Sequence, residues 1–272
     1  MITTDMHVHS IFSSDSTESP ESIIETAIRH NYQYVYFTDH HDIDFPVSAE
    51  EPLMDFQLDF AKYFDQLTQL KERYQDQIQL MIGVEMGICP ETTDKVTKLV
   101  SSYPFDFVIG SSHLSALENG DPYWPSYYDG KTPLQAYQEY FYSEVENVKN
   151  TKAFDVYGHL DYAIRYCPDS NYVYQFKDYA DIFEELFRLL IENGKGIEIN
   201  TAGISKMGMA HPHIEALKMY REMGGEIVTI GSDAHSAQNI GFGFDIAEQM
   251  LQECNFSYYT IFQKRKPEFI RL

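Results

Sequence analysis

Six of the ten histidines stand where short apolar runs of the sequence give way to polar residues. These six are His7, His9, His40, His113, His159 and His235. A single histidine of this kind is most often a core residue satisfied by a hydrogen bond, but six at the same type of position weaken that interpretation. Neutral imidazoles without neighbouring thiolates are ligands for zinc, manganese or iron. The pattern therefore predicts a metal site.

Three carboxylates join these histidines, and the total indicates more than one ion. Asp15, Glu85 and Asp233 also follow apolar runs. In His7-Val8-His9 the two imidazoles are two residues apart, so on a strand they face the same side. A catalytic ion usually takes three or four protein ligands, so nine ligands suit three ions. We expect three divalent ions (zinc, manganese or iron). Glu85 lies near the middle of the series of strand ends, and we expect it to be the bridging carboxylate.

Strands and helices that alternate along the chain must position these side chains. Seven short apolar runs have the composition of buried parallel strands; they are Ile2–Val8, Tyr34–Phe37, Leu80–Val84, Phe105–Ile109, Phe154–Tyr157, Gly196–Ile199 and Glu226–Ile230. Segments with helical periodicity lie between them, namely Pro20–His30, Phe56–Tyr74, Pro133–Val148, Tyr179–Asn193 and His213–Met223. This alternation predicts an α/β fold with a parallel sheet.

The distribution of polar residues favours a closed barrel over an open sheet. All seven runs end in side chains that can bind metal or take part in catalysis. In a barrel every strand can deliver a side chain to one point at its carboxyl end, whereas the crevice of an open doubly wound sheet uses two or three strands. We find no internal repeat and no domain boundary, and therefore expect one barrel domain over residues 1–272.

Composition excludes several classes of function. The chain has 20 Lys and Arg against 42 Asp and Glu, a net charge of -22, which disfavours binding to nucleic acid or an anionic membrane. Its three cysteines lie far apart, which rules out a disulfide framework and a cysteine zinc site. No apolar run is long enough for a membrane span, and the N-terminus lacks the pattern of a signal peptide. We expect a cytoplasmic protein; its oligomeric state stays open.

Seven short motifs surround the predicted strand ends. They are DMHVHS at 5–10, FTDHHD at 37–42, GVEMG at 83–87, FDFVIGSSHL at 105–114, GHLD at 158–161, EINTAG at 198–203 and TIGSDAHS at 229–236. These motifs resemble those of the PHP (polymerase and histidinol phosphatase) superfamily. They occur in family order and span most of the chain. EINTAG, GHLD and the acidity favour the stand-alone histidinol-phosphate phosphatases over polymerase exonuclease modules and bacterial tyrosine phosphatases.

The resemblance implies a distorted, TIM-like (βα)7 barrel with a trinuclear metal centre. It implies hydrolysis of L-histidinol phosphate to L-histidinol and phosphate in histidine biosynthesis. Matching the motifs places the family's metal ligands at His7, His9, Asp15, His40, Glu85, His113, His159, Asp233 and His235. Many members carry a histidine where Asp15 stands, so the site of this chain is more anionic.

For the chemistry, we expect a hydroxide that bridges two ions to attack phosphorus while the third ion holds a phosphoryl oxygen. His41 is a candidate acid for the leaving oxygen, with Asp42 and Asp39 beside it; alternatively His41 is a surface imidazole. Arg165 can clamp the phosphate, or it is a solvated arginine paired with Asp161.

The amine and imidazole of the substrate require carboxylates and amide oxygens behind the metals. The candidates at the strand ends are Asp161, Glu198 and Asn200, with Asp42 as a further substrate contact. The aromatic stretch Asn119–Thr132 follows the fourth predicted strand, and it is either a lid or pocket wall or an ordered surface loop.

Three other functions remain open. The first is a phosphoesterase of the same family that acts on a sugar phosphate, a nucleotide or a phosphopeptide, since only the pocket would differ. The second is a catalytically silent metal-binding subunit, which the intact set of nine ligands disfavours. The third is an amidohydrolase-type deaminase, but that barrel usually carries a strand-end lysine and none is evident here.

Overall fold

The computed structural model describes residues 1–46, 55–118 and 120–272. Within these residues, eight parallel strands surround a buried core, and their carboxyl ends all lie at one end of the barrel. They are β1 (Thr4–Val8), β2 (Tyr34–Phe37), β3 (His40–Asp42), β4 (Gln79–Gly87), β5 (Phe107–Ser111), β6 (Val156–Tyr157), β7 (Gly196–Asn200) and β8 (Val228–Gly231).

The strands form a nearly closed barrel. Their order is β1-β2-β4-β5-β6-β7-β8, and the short β3 continues beyond β2 to pair with β4, His40 beside Glu85. The first and last strands meet where the backbone N–H of Asp233 donates to the carbonyl of His7 (2.8 Å) and that of His9 to the carbonyl of Ala234 (2.9 Å). These contacts confirm the predicted α/β barrel. They also bring the segment with His7 and His9 next to the segment with Asp233 and His235.

Eight helices of the described residues cover or connect the strands. They are α1 (Pro20–Arg29), α2 (Phe60–Tyr74), α3 (Thr93–Val100), α4 (Pro133–Asn150), α5 (Ala180–Glu192), α6 (Gly203–Met207), α7 (Ile214–Glu222) and α8 (Phe244–Glu253). The prediction that α2 begins at Phe56 is wrong, because the Asp59 side chain accepts the N–H of Lys62 and caps the helix at Phe60. Phe56 stays outside the helix, beside His40.

The C-terminal tail forms an antiparallel hairpin. Its strands are β9 (Tyr258–Gln263) and β10 (Lys266–Arg271). The hairpin turn binds where β5 and β6 begin, since Arg265 contacts Asp155 (2.7 Å) and the N–H of Lys264 reaches Asp106 (3.3 Å). The hairpin therefore packs at the amino ends of the strands, far along the barrel from their carboxyl ends. No helix among the described residues has the length and apolarity needed to cross a membrane.

Candidate active site

The structure brings the six strand-end imidazoles together at the carboxyl ends of the strands. The ring centroid of His9 lies 4.1 Å from that of His40 and 4.2 Å from that of His235. The ring of His113 lies 5.0 Å from His40 and 5.5 Å from His159. His7 completes the group at 5.0 Å from His9. Six imidazoles from five parts of the sequence thus share one cluster.

Glu85 lies at the centre of this cluster, and each of its oxygens faces different imidazoles. Oε1 lies 2.8 Å from Nε2 of His159 and 3.2 Å from Nε2 of His113. Oε2 lies 3.1 Å from Nε2 of His7 and 2.8 Å from Nδ1 of His40. This is the arrangement expected of a carboxylate that bridges two ions. Burial would raise the pKa of Glu85, but the neighbouring imidazoles, His7 foremost, hold that pKa well below its usual range.

The two aspartates of the predicted ligand set lie at the solvent side of the cluster. Oδ1 of Asp233 is 3.1 Å from Nε2 of His9, and Oδ2 of Asp15 is 3.0 Å from Nε2 of His235 and 3.5 Å from Nε2 of His40. Each of the nine predicted ligands therefore lies next to at least one other member of the set, and together they form one cluster.

The donor atoms fit divalent metal. Within the described parts of the chain, four sets of three side chains place ligand atoms within 4.8 Å of one another. The sets are His7, His9 and Glu85; Glu85, His113 and His159; His9, His40 and His235; and His40, Asp42 and His113. Oε2 of Glu85 lies close to nitrogen atoms of His7 and His40, but neither it nor the buried Nε2 atoms of His7 and His9 make a hydrogen bond of acceptable geometry. Orphaned buried acceptors that converge on one point are costly unless a cation satisfies them.

Surrounding carboxylates and hydroxyls orient the imidazoles. Nδ1 of His7 donates to Oε1 of Glu198 (2.6 Å), and Nδ1 of His113 donates to Oδ1 of Asp42 (2.8 Å). Such partners fix the tautomer and leave Nε2 free to bind metal. Gly231 permits the first contact, because a Cβ there would lie 2.3 Å from Cβ of His7 and 2.5 Å from Oε1 of Glu198.

Asp39 acts on the cluster through a serine. Ser13 donates its hydroxyl to Asp39 (2.8 Å) and accepts from Nδ1 of His9 (3.1 Å) and from the N–H of His40 (3.0 Å). Asp39 also accepts the N–H of Ser10 (2.7 Å) and is fully buried. It holds the loop after β1 in place and does not line the cavity described below.

The structure does not bring His41 to the cluster. Successive residues of a strand face opposite sides, so on β3 His40 faces the cluster and His41 faces away. Nδ1 of His41 accepts the N–H of Leu58 (2.9 Å), and its ring packs on Phe60 at 4.8 Å between centroids. We therefore correct its interpretation: His41 anchors the segment before α2, and its position does not suit an acid at the leaving oxygen.

The residues predicted to bind substrate from β6 and β7 are also occupied elsewhere. Oε2 of Glu198 accepts the N–H of His159 (3.1 Å), beside its bond to His7, and Asn200 donates to Oδ2 of Asp233 (3.3 Å). Asp161 accepts from Nδ1 of His211 and from the N–H of His213 (2.7 Å). None of Glu198, Asn200, Asp161 or Asp42 lines the cavity, because each is turned toward a side chain that it holds.

Glu198→Gln is therefore expected to act on the metal centre and not on substrate choice. Loss of the charge behind His7 should weaken metal binding and activity by about 10–100-fold, equally for histidinol phosphate and p-nitrophenyl phosphate. Parallel kcat/KM measurements on both esters, with metal content of the purified variant, check this. A fall confined to histidinol phosphate would instead support the substrate contact predicted from sequence.

Arg165 is held by a relay of buried side chains. Its Nε donates to Nε2 of His211 (3.3 Å), whose Nδ1 in turn donates to Asp161. The predicted alternative, direct pairing of Arg165 with Asp161, is not what the structure has. Nη2 of Arg165 is buried without a partner, and the side chain lines the cavity. The guanidinium thus presents donors to whatever occupies the cavity.

A cavity of about 240 Å³ opens on the cluster. Six of the residues that line it are predicted metal ligands, namely Asp15, His40, His113, His159, Asp233 and His235. The others are Phe45, Phe56, Asp121, Tyr123, Tyr162, Arg165 and Tyr166. Pockets that bind drug-sized ligands have volumes of about 300–1,000 Å³, so this smaller cavity suits a small metabolite.

The aromatic loop contributes to the wall of this cavity. Asn119, the first residue of the predicted loop Asn119–Thr132, lies outside the described residues. Asp121 and Tyr123 line the cavity, and Trp124 is buried against Phe45 at 5.8 Å between ring centroids. The sequence pointed to this loop by its position after a strand that ends in a histidine, but it did not single out Asp121.

Comparison with known proteins agrees with this geometry. Residues 5–202 match the PHP domain. The chain belongs to the PHP domain family. It is 32% identical over 263 residues to the histidinol-phosphatase of Lactococcus lactis, covering 96% of this chain and 95% of the relative. A probable histidinol-phosphatase of Clostridium acetobutylicum is 30% identical, with 96% and 97% covered.

A solved structure resembles the whole PHP chain. It is a crystal structure of histidinol phosphate phosphatase from Lactococcus lactis in complex with zinc, L-histidinol and phosphate. The TM-score is 0.88 at 30% identity, with 98% of both chains covered. The predicted PHP barrel is thereby confirmed.

Proposed function

We propose that this chain, as one barrel domain, hydrolyses L-histidinol phosphate to L-histidinol and phosphate in histidine biosynthesis. The observation that carries the proposal is the similarity along 98% of both chains to a phosphatase seen with zinc, L-histidinol and phosphate. The cluster of imidazoles and carboxylates and the cationic Arg165 at one cavity add chemical support, since bound metal ions and a guanidinium both suit a phosphomonoester.

In this proposal nine side chains would hold three divalent ions. The three groups are His113, His159 and Glu85 Oε1; His7, His9, Asp233 and Glu85 Oε2; and His40, His235 and Asp15. Their support is the set of short contacts within each group. Bound divalent ions lower the pKa of water towards neutrality and neutralise phosphoryl oxygens. Zinc is the metal of the Lactococcus lactis structure, and manganese or iron suit the same donors.

The protein's own groups orient the ester. Arg165 presents the unpartnered Nη2 to the cavity, where it can bind phosphoryl oxygens, and His211 and Asp161 keep its side chain from turning away. Glu198, Asp42 and Ser13 keep the imidazoles in the metal-binding tautomer.

Arg165→Met is expected to raise KM for phosphomonoesters by about 10–100-fold, because hydrogen bonds to a charged group contribute about 1.5–3 kcal/mol. Steady-state kinetics with histidinol phosphate and competitive inhibition by inorganic phosphate measure the loss. Arg188→Met, an exposed arginine paired with Glu192 on α5, is the matched control. An unchanged KM in Arg165→Met would show that Arg165 does not bind the phosphate.

Growth of a histidine auxotroph tests the function in a cell. A bacterial strain that lacks its own histidinol-phosphatase should grow without histidine when it expresses this chain, and should not grow when it expresses Glu85→Gln at the same level. Failure of the wild-type chain to support growth, despite soluble expression, would contradict the proposed function and favour another phosphomonoester.

A further inference from the structure

One polar side chain of α4 reaches three neighbouring strands of the barrel. Nδ2 of Asn147 donates to the carbonyl oxygen of Ile88 (2.9 Å). It also donates to Oγ of Ser112 (3.0 Å) and to the hydroxyl oxygen of Tyr157 (3.0 Å). Ile88 directly follows β4, Ser112 directly follows β5, and Tyr157 is the last residue of β6. Asn147 thus ties together the carboxyl ends of three adjacent strands.

The three strand ends that Asn147 holds carry the predicted ligands of one ion. These ligands are Glu85 near the end of β4, His113 after β5 and His159 after β6. Their donor atoms lie within 4.8 Å of one another. Each ligand is at most three residues along the chain from a group that Asn147 holds. A shift of any of these strand ends therefore moves a ligand.

The groups around Asn147 form a buried polar network. The hydroxyls of Ser112 and Tyr157 are 2.7 Å apart, and the hydroxyl of Tyr140 on α4 donates to the carbonyl of Ser112 (2.7 Å). All four side chains are fully buried. An apolar side chain would suffice to pack α4 on the barrel, without the cost of burying polar groups. Hydrogen-bonded polar groups in a core favour one arrangement of its parts, so this network fixes where the strand ends lie.

The amide of Asn147 contributes its donors. The carbonyl of Ile88 can only accept a hydrogen bond, which determines the end of the amide that faces the strands. Oδ1 of Asn147 is buried and makes no hydrogen bond within the described parts of the chain. The two hydrogens of Nδ2 are therefore the feature of this side chain that an apolar replacement would remove.

The end of β6 has few other contacts to hold it. The strand consists of Val156 and Tyr157, and both neighbouring strands pair with it at these two positions only. Nδ1 of His159 is buried and makes no hydrogen bond among the described residues, so this ring has no orienting partner of the kind found for His7. The bond from the N–H of His159 to Glu198 (3.1 Å) and the anchor at Tyr157 therefore determine where this imidazole lies.

We infer that Asn147 is a positioning residue for the ion that Glu85, His113 and His159 would bind. Its hydrogen bonds go to the strand ends and not to the ligands, and they keep those ends at the spacing at which the three donor atoms converge. The inference rests on the metal centre of the proposed function, but not on the identity of the ester.

Asn147→Leu tests this role because it keeps the approximate size of the side chain and removes both donors. Metal-free protein is titrated with Mn²⁺, and the free ion is measured by its electron paramagnetic resonance signal. We expect the affinity for one bound ion to fall by about 10–100-fold relative to the others, the usual effect of losing a group that supports metal ligands. The Tm of the metal-free proteins is recorded beside the titration.

Phe141→Leu is the matched control. Phe141 is buried on the same helix, but its ring faces Phe183 on α5 at 4.9 Å between centroids. Both variants should lower the Tm of the metal-free protein, whereas only Asn147→Leu should change the Mn²⁺ titration. Tyr157→Phe removes one hydroxyl of the network and keeps the ring. It should weaken the same ion by about two- to tenfold, and it decides the question if Asn147→Leu does not fold.

The outcomes separate this inference from the proposed function. Unchanged affinities for every ion in Asn147→Leu or, where that variant does not fold, in Tyr157→Phe overturn the assignment. An equal loss of metal affinity in Phe141→Leu overturns it as well. Wild-type protein that binds Mn²⁺ but does not hydrolyse L-histidinol phosphate contradicts the proposed function and keeps the role of Asn147. Wild-type protein that binds no Mn²⁺ contradicts both.

Discussion

Glu85→Gln is expected to lower kcat/KM for L-histidinol phosphate by about 10³-fold. One carboxylate faces two groups of imidazoles, with Oε1 2.8 Å from His159 and Oε2 2.8 Å from His40. An amide keeps the shape but offers one oxygen and no charge, so the two groups lose their shared ligand. Metal ions contribute several kcal/mol to charge stabilisation, and each 1.36 kcal/mol is a factor of ten in rate.

The variant is compared with Glu268→Gln, an exposed glutamate on the hairpin at the other end of the barrel. Circular dichroism and elemental analysis accompany the kinetics. We expect a folded Glu85→Gln protein that holds fewer metal ions than wild type, and a control with full activity. A Glu85→Gln enzyme within tenfold of wild type would rule out a bridging role for Glu85.

Removal of metal is expected to reduce hydrolysis by at least about 10³-fold, again because several kcal/mol of charge stabilisation is lost. Stability should fall as well. His7, His9 and Glu85 are fully buried, and without cations the Nε2 and Oε2 atoms with which they face one another make no hydrogen bonds. A ligand present at 100 times its Kd stabilises the folded state by about 2.7 kcal/mol.

The measurement is a chelator treatment followed by gel filtration, with activity and Tm recorded before and after. Zinc or manganese, added back singly, should restore both. Full activity in protein shown by elemental analysis to be free of metal would exclude a metal-dependent mechanism. Restored Tm without any hydrolysis of a phosphomonoester would favour the silent metal-binding subunit.

Much of the cluster of predicted metal ligands could be inferred from sequence, because the positions of these side chains follow from the geometry of regular strands. In His7-Val8-His9 the alternation of side chains along a strand places both imidazoles on one side, and in the structure their ring centroids are 5.0 Å apart. Glu85 could be assigned to the same point because the carboxyl ends of barrel strands converge. The same alternation also applies to His40 and His41, and it explains why only His40 faces the cluster.

Side-chain partners beyond the cluster could not be predicted, because they depend on contacts between distant segments. Glu198 was predicted to bind substrate because it lies near a strand end, but it accepts a hydrogen bond from His7, which is 191 residues away in the sequence. Asp121 lies on an irregular loop, where no periodicity indicates which way a side chain faces. The hairpin Tyr258–Arg271 was missed although its two strands adjoin, because its binding sites at Asp106 and Asp155 are remote in sequence.

Phosphate release from L-histidinol phosphate, measured with zinc- or manganese-loaded protein beside a panel of unrelated phosphomonoesters, tests the proposed function most directly. We predict a kcat/KM above about 10⁴ M⁻¹s⁻¹ for histidinol phosphate, within the usual enzyme range, and far lower values across the panel. Slow hydrolysis of all esters alike would contradict the histidinol-phosphatase assignment, although it would keep the metal-dependent phosphatase chemistry.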